Sequence, residues 1–184
     1  MQINKVTERN QVNEENTSTA VEREFKNSWK LWRCQVISGK LWNSCLQPLN
    51  MCIKGKVSFE SVLNLLKKDF EDSESKIDYL FFFKSGIKPM WEDPNNKGGG
   101  RWKIVMDTSE KLQTKWFDLL KLLVEEAFGD LVNGASITKR NNEKKISIWL
   151  SKDTDKIKTV MLGDQLKIKL SISKFKTLVY EQFY

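Results

Sequence analysis

The stretch Gly86-Ile-Lys-Pro-Met-Trp91-Glu92-Asp-Pro-Asn-Asn-Lys-Gly-Gly-Gly-Arg101-Trp102 places two prolines, two asparagines and four glycines ahead of Arg101. That composition breaks helix and strand alike and predicts a long loop over 86–100, the kind of segment in which function tends to sit. A tryptophan directly before two carboxylates is chemically odd for a core position. Exposed, Trp91 would offer a stacking face, and Glu92 beside it can accept two parallel hydrogen bonds from the N1 and N2 donors of a guanine edge. A tryptophan that only plugs the loop onto a sheet explains the same residues equally well.

Outward from the loop the pattern is α+β. Downstream, Arg101 to Met106 alternates, with Trp102, Ile104 and Met106 on one face and Arg101, Lys103 and Val105 on the other. Asp107 with Glu110 predicts a helix start, and Leu112, Trp116, Leu119, Leu120 and Leu123 form one apolar stripe. Val132–Arg140 and Lys144–Leu150 read as strands joined at Asn141-Asn142-Glu143, followed by a helix around Asp153–Lys167 and a last strand near Lys176–Tyr180. Upstream, Asp78–Lys84 is strand-like, Asp69–Lys76 a charged loop, and Ser58–Phe70 an amphipathic helix with Ser58 as N-cap. Trp29–Val36 alternates as a half-buried strand with Trp32, Cys34 and Val36 on one side. Residues 1–23 are too polar to bury and predict a disordered tail, leaving one domain over 24–184.

Composition removes whole classes of activity. The 184 residues include no histidine, which excludes Ser-His-Asp triads, His-Glu-x-x-His zinc sites and any histidine base. Gly98-Gly-Gly100 lacks the Lys-Ser/Thr of a P-loop, so an enzyme is not expected. Three cysteines, Cys34, Cys45 and Cys52, contain no Cys-x-x-Cys pair, which suits a reducing compartment. No apolar run approaches the ~20 residues of a membrane span, so a soluble intracellular protein is expected. A net charge of +7 favours an anionic partner without naming it.

The second hairpin adds a candidate surface. Lys145, Ser147 and Trp149 share one face, and Ser136, Thr138 and Arg140 share a face of the preceding strand, so Arg140, Lys145 and Trp149 can meet. For an isolated Lys and Arg pair, a solvated basic edge is the commoner outcome.

The run from Gly86 to Trp102, with tryptophans at 29, 32, 42, 91, 102, 116 and 149, resembles the eukaryotic translation initiation factor 4E family of mRNA cap-binding proteins, from about Phe25 to the C-terminus. The resemblance implies a curved antiparallel sheet with about three helices on its convex face and a cap slot on its concave face. It implies that Trp42 and Trp91 sandwich 7-methylguanine, that Glu92 reads the guanine edge, and that Trp149 touches the N7 methyl. Arg140 and Lys145 match the cap-phosphate cations, and Arg101 a further arginine with less direct contact. No cofactor or metal is implied.

The same resemblance implies a convex surface for a scaffold of the 4G type, or a 4E-binding protein, presenting a Tyr-x-x-x-x-Leu-hydrophobic helix. Phe25, Phe59, Leu63, Phe117 and Asp118 are its candidate residues. Here the chain departs from the family pattern. Arg23-Glu24-Phe25 replaces His-Pro-Leu, Leu63 stands where the family has a tryptophan, and Lys121 stands at an apolar position. The segment between Cys45 and Phe59 is longer, and the loop that closes over the second nucleotide is expected to be truncated. The expectation is a monomeric, cytoplasmic or also nuclear, non-catalytic protein that brings capped mRNA to translation initiation. A paralogue that represses translation by competing for caps, or acts in a stage-specific pathway, shares the pocket, so only the partner on the convex surface distinguishes the two. A general single-strand RNA module remains a third reading, distinguished by indifference to N7 methylation and steep salt dependence. A pure protein-interaction module would leave Trp42 and Trp91 serving only the core.

Overall fold

The computed structural model describes residues 24–71, 78–106, 112–140 and 143–184. The expected tail over 1–23, the charged loop beyond Glu71, the helix-start pair Asp107 and Glu110, and the hairpin residues 141–142 lie outside them. Along the described chain run β1 (Glu24–Cys34), α1 (Trp42–Cys45), β2 (Leu46–Gly55), α2 (Lys56–Glu71), β3 (Tyr79–Lys84) and β4 (Gly100–Val105). Then follow α3 (Leu112–Val124), β5 (Val132–Thr138), β6 (Lys145–Leu150), α4 (Lys156–Lys169) and β7 (Val179–Gln182). The strands form one curved antiparallel sheet in the order β2-β1-β3-β5-β6-β4-β7.

Period-two alternation sorts side chains between the two faces. Trp29 and Leu31 of β1, Leu80 and Phe82 of β3, Ile104 of β4, Ala135 and Ile137 of β5, and Ile146, Ile148 and Leu150 of β6 join one large core. The buried faces of the three long helices close that core: Phe59, Val62 and Leu66 from α2, Trp116, Leu119, Leu120 and Leu123 from α3, and Leu162 and Leu166 from α4. The opposite, concave face buries a smaller set, Cys34, Cys45, Phe81, Phe83, Trp149 and Phe183, with Trp32 and Tyr79 packed against it. The α+β architecture and its three convex-side helices are as expected; the fourth helix, α1, is only four residues long.

Three boundaries differ from the sequence expectation, each for a local reason. α2 starts at Lys56, and Ser58 does not sit at the N-cap: its Oγ lies inside the first turn and reaches back to accept from the backbone N–H groups of Lys54 and Gly55, 3.1 and 3.2 Å. α4 starts at Lys156 rather than near Asp153, with Asp155 as the N-cap accepting from Lys158 N–H at 2.8 Å. β7 lies three residues further along than expected because Glu181 registers with Arg101 and Tyr180 with Trp102. Trp102 itself is half-buried, its indole Nε1 donating to the Thr159 carbonyl at 2.9 Å.

Candidate functional site

On the concave face Trp42, Tyr79, Phe81, Trp91, Glu92, Arg101, Ser136, Thr138, Lys145 and Trp149 line a slot of about 380 Å³. That volume lies within the range of small-ligand sites, ~300–1,000 Å³. The structure therefore brings together six of the seven residues singled out on this face. Arg140 is the exception: β5 ends at Thr138, and beyond that end Arg140 is exposed and outside the slot lining.

The two free tryptophans reach the slot by different routes. Trp91 is 50% exposed and Trp42 40%, values unlike those of core indoles. Trp42 opens α1, and its ring stands edge-on to Tyr79 and Phe81, with centroids 5.2 and 6.1 Å away. Trp91 rides the long loop, which is tied internally by one buried asparagine. Asn96 Nδ2 donates to the carbonyls of Lys88 and Met90 at 2.9 and 2.8 Å, while Asn133 Nδ2 donates to Asn96 Oδ1 at 3.0 Å and to the Asn95 carbonyl at 2.9 Å. Asp93 accepts from the backbone N–H groups of Lys88 and Asn95, both at 2.9 Å. Two of the three glycines that end the loop are required by crowding: a Cβ on Gly99 would lie 2.5 Å from the Leu150 carbonyl oxygen, and one on Gly100 2.3 Å from the Tyr180 hydroxyl. Gly98 adopts φ +81°.

Glu92 lines the slot, and among the described residues its carboxylate has no intramolecular hydrogen-bond or ion-pair partner. Trp149 forms the floor. It is buried between Phe83 and Phe183, at centroid distances of 5.4 and 4.8 Å, and its Nε1 donates to Ser136 Oγ at 3.2 Å. The Arg101 guanidinium lies 5.3 Å above that indole and donates to Glu181 at 2.7 Å. The Arg101 hydrogen bond holds the Glu181 carboxyl below its ordinary value, against the opposing effect of burial. Lys145 donates to Glu143 at 2.7 Å. Both slot cations thus keep a carboxylate beside them.

Sequence reasoning missed Asn96, Asn133 and Glu181. Asn96 carried one usable signal, an Asx-type residue inside a loop too long to hold its shape unaided. Glu181 carried none, because its partner lies 80 positions away.

On the convex side Phe25, Phe59 and Leu63 line a groove of about 690 Å³ together with Lys56, Lys121, Val124 and Glu126. Phe117 and Asp118, placed there by the resemblance, are outside its lining; Phe117 instead packs edge-on against Phe70 at 5.8 Å.

A sequence model of eukaryotic initiation factor 4E matches residues 24–183. The chain is 36% identical over 167 residues to eukaryotic translation initiation factor 4E-3 of Caenorhabditis elegans, covering 85% of this chain and 65% of that protein. It is 34% identical over 161 residues to eukaryotic translation initiation factor 4E1 of Drosophila melanogaster, covering 84% and 60%. The chain thus spans somewhat under two thirds of the length of these two relatives. Among solved structures, the complex of C. elegans eIF4E-3 with the 4E-binding protein Mextli and cap analog superposes with a TM-score of 0.77 at 34% identity, covering 88% of this chain and 92% of that one. With the match extending over nearly every described residue, and the slot built on the same run that first suggested it, the chain belongs to the eukaryotic initiation factor 4E family.

Proposed function

We propose that the concave slot binds the 7-methylguanosine cap of mRNA, without altering it chemically, and that the domain over 24–184 delivers the capped message to translation initiation in the cytoplasm. The observation that carries the reading is the meeting of two half-exposed indoles with an unpaired carboxylate in one slot. Methylation at N7 makes guanine cationic. Stacked between Trp42 and Trp91, the methylated base gains a cation–π attraction of about 0.5–2 kcal/mol per ring that plain guanine lacks. Glu92 supplies the two acceptors that guanine N1–H and N2–H require, and adenine would leave that carboxylate unsatisfied.

Trp149, which lines the slot from below, would meet the N7 methyl. Lys145 and Arg101, each beside a carboxylate, are the phosphate-side cations of the slot, Arg101 with less direct contact because it lies over Trp149, and Arg140 is a reserve beyond the strand end. The convex groove at Phe25, Phe59 and Leu63 would receive a Tyr-x-x-x-x-Leu-hydrophobic helix of a 4G-type scaffold or a 4E-binding protein, the latter being a partner of the C. elegans homologue in its solved complex. Quenching of tryptophan fluorescence by 7-methyl-GDP, set against plain GDP, tests the slot. Tight, methyl-dependent quenching supports cap binding, whereas equal or absent quenching overturns it and returns the protein to general RNA binding or to protein interaction alone.

A further inference from the structure

Helix α4 carries apolar side chains on its solvent side as well as its buried side. Its inner face, Leu162, Gly163 and Leu166, is buried against the sheet. Its outer face repeats Ile157, Met161, Asp164 and Ile168 at helical spacing, and Ile157 and Ile168 are 74% and 77% exposed. A line of exposed apolar side chains bordered by Lys156, Lys158, Lys167 and Lys169 is the pattern of a surface that meets a partner. Beside it, Val160, Lys167, Lys174, Phe175, Lys176 and Leu178 wall a groove of about 350 Å³ floored by Trp102. Gly163 makes that floor possible: a Cβ there would lie 3.0 Å from the Trp102 ring. Lys167 Nζ donates to the Lys174 carbonyl at 3.1 Å, joining helix to far wall, and Phe175 stands 85% exposed with the Lys174 ammonium 5.0 Å from its ring.

We infer that the outer face of α4 and this groove form a second docking surface, one that takes an acidic amphipathic segment of a protein partner. Charge decides the chemistry. Residues 156–178 contain six lysines and one carboxylate, Asp164, so a segment with acidic residues flanking apolar ones matches both the stripe and its borders. Nucleic acid would satisfy the lysines but leave the exposed Ile157, Ile168 and Phe175 in water. A bilayer asks for a protruding apolar surface, whereas the Trp102 floor is recessed. The surface shares no lining residue with the slot or with the groove at Phe25 and Leu63.

The test is selection from a displayed library of random peptides on the whole chain, with Ile157→Asp/Ile168→Asp as the counter-selected variant. Thermal melting confirms that this variant, changed only at exposed positions, is folded. The inference expects peptides held by the unmodified chain and released by the variant to be rich in Asp and Glu between apolar residues at three- and four-residue spacing. Their affinity should fall about tenfold on Lys156→Glu/Lys174→Glu, as expected when attraction becomes repulsion at two contacts. Absence of variant-sensitive peptides, or sensitive peptides without acidic enrichment, overturns it. So does preferential binding of oligouridine or phosphatidylserine vesicles through the same isoleucines, or a dimer in sedimentation that Ile157→Asp/Ile168→Asp dissolves.

Discussion

The two faces of this sheet are built to opposite rules from the same strands. On the convex side most alternate strand residues enter a continuous core closed by three helices. On the concave side the alternate residues form a thin aromatic floor, and above it stand the half-exposed Trp42 and Trp91 and the unpaired Glu92. Stability is thereby concentrated on one face and recognition on the other. A residue one position along a strand changes not only its neighbours but the kind of phenotype its loss produces.

Substitutions on the two faces can break that separation or sharpen it. The largest effect belongs to the convex core: Trp116→Ala empties a fully buried ring site and should lower unfolding free energy by about 3–5 kcal/mol in urea denaturation. Next come Trp91→Ala and Glu92→Ala, each expected to weaken 7-methyl-GDP binding by about 1–3 kcal/mol while the melting temperature stays near that of the unmodified chain. A large fall in melting temperature for Trp91→Ala would show that the concave face is also structural, and the contrast between faces would be lost. Smaller again, Leu63→Ala should weaken a Tyr-x-x-x-x-Leu-hydrophobic peptide by about 1–2 kcal/mol in fluorescence anisotropy without changing cap affinity.

The smallest effect depends on pH. The Glu181 carboxyl, depressed by its Arg101 hydrogen bond, binds its proton more weakly folded than unfolded, so its contribution is present above its ordinary value of 4.5 and fades as pH falls through the lower folded value. The melting-temperature gap between the unmodified chain and Glu181→Gln should therefore be constant above that point and close in acid. A gap that persists in acid would mean that the pair acts through packing rather than charge.

Strand faces were legible because alternation is a local property: Lys145, Ser147 and Trp149 on one side and Ile146, Ile148 and Leu150 on the other lie where the period puts them. β2 was illegible for a physical reason. It is an edge strand, largely exposed, and carries Pro48, which an edge tolerates but which reads in a sequence as a break. α1 is too short to show a period. Trp91 and Glu92 stood out by their odd juxtaposition. The asparagine that shapes their loop did not, because Asn96 acquires meaning only when Asn133, distant in sequence, arrives beside it. Arg140 went the other way: extending its strand's alternation past Thr138 carried it into a surface that the chain has already left.

The slot's two tryptophans differ in how firmly each is mounted. Asn96 fastens the backbone on either side of Pro89 and Met90, so Trp91 behaves as the fixed jaw of a vise, with little conformational freedom left to surrender. Trp42 sits at the start of a four-residue helix whose N-cap, Leu41, offers no side-chain hydrogen bond. Held by ring contacts with Tyr79 and Phe81 rather than by hydrogen bonds from a buried side chain, it should be the more mobile jaw. A flat ligand should meet the fixed face first and be gripped when the other swings in, so its residence time is governed by α1 and its landing place by the loop.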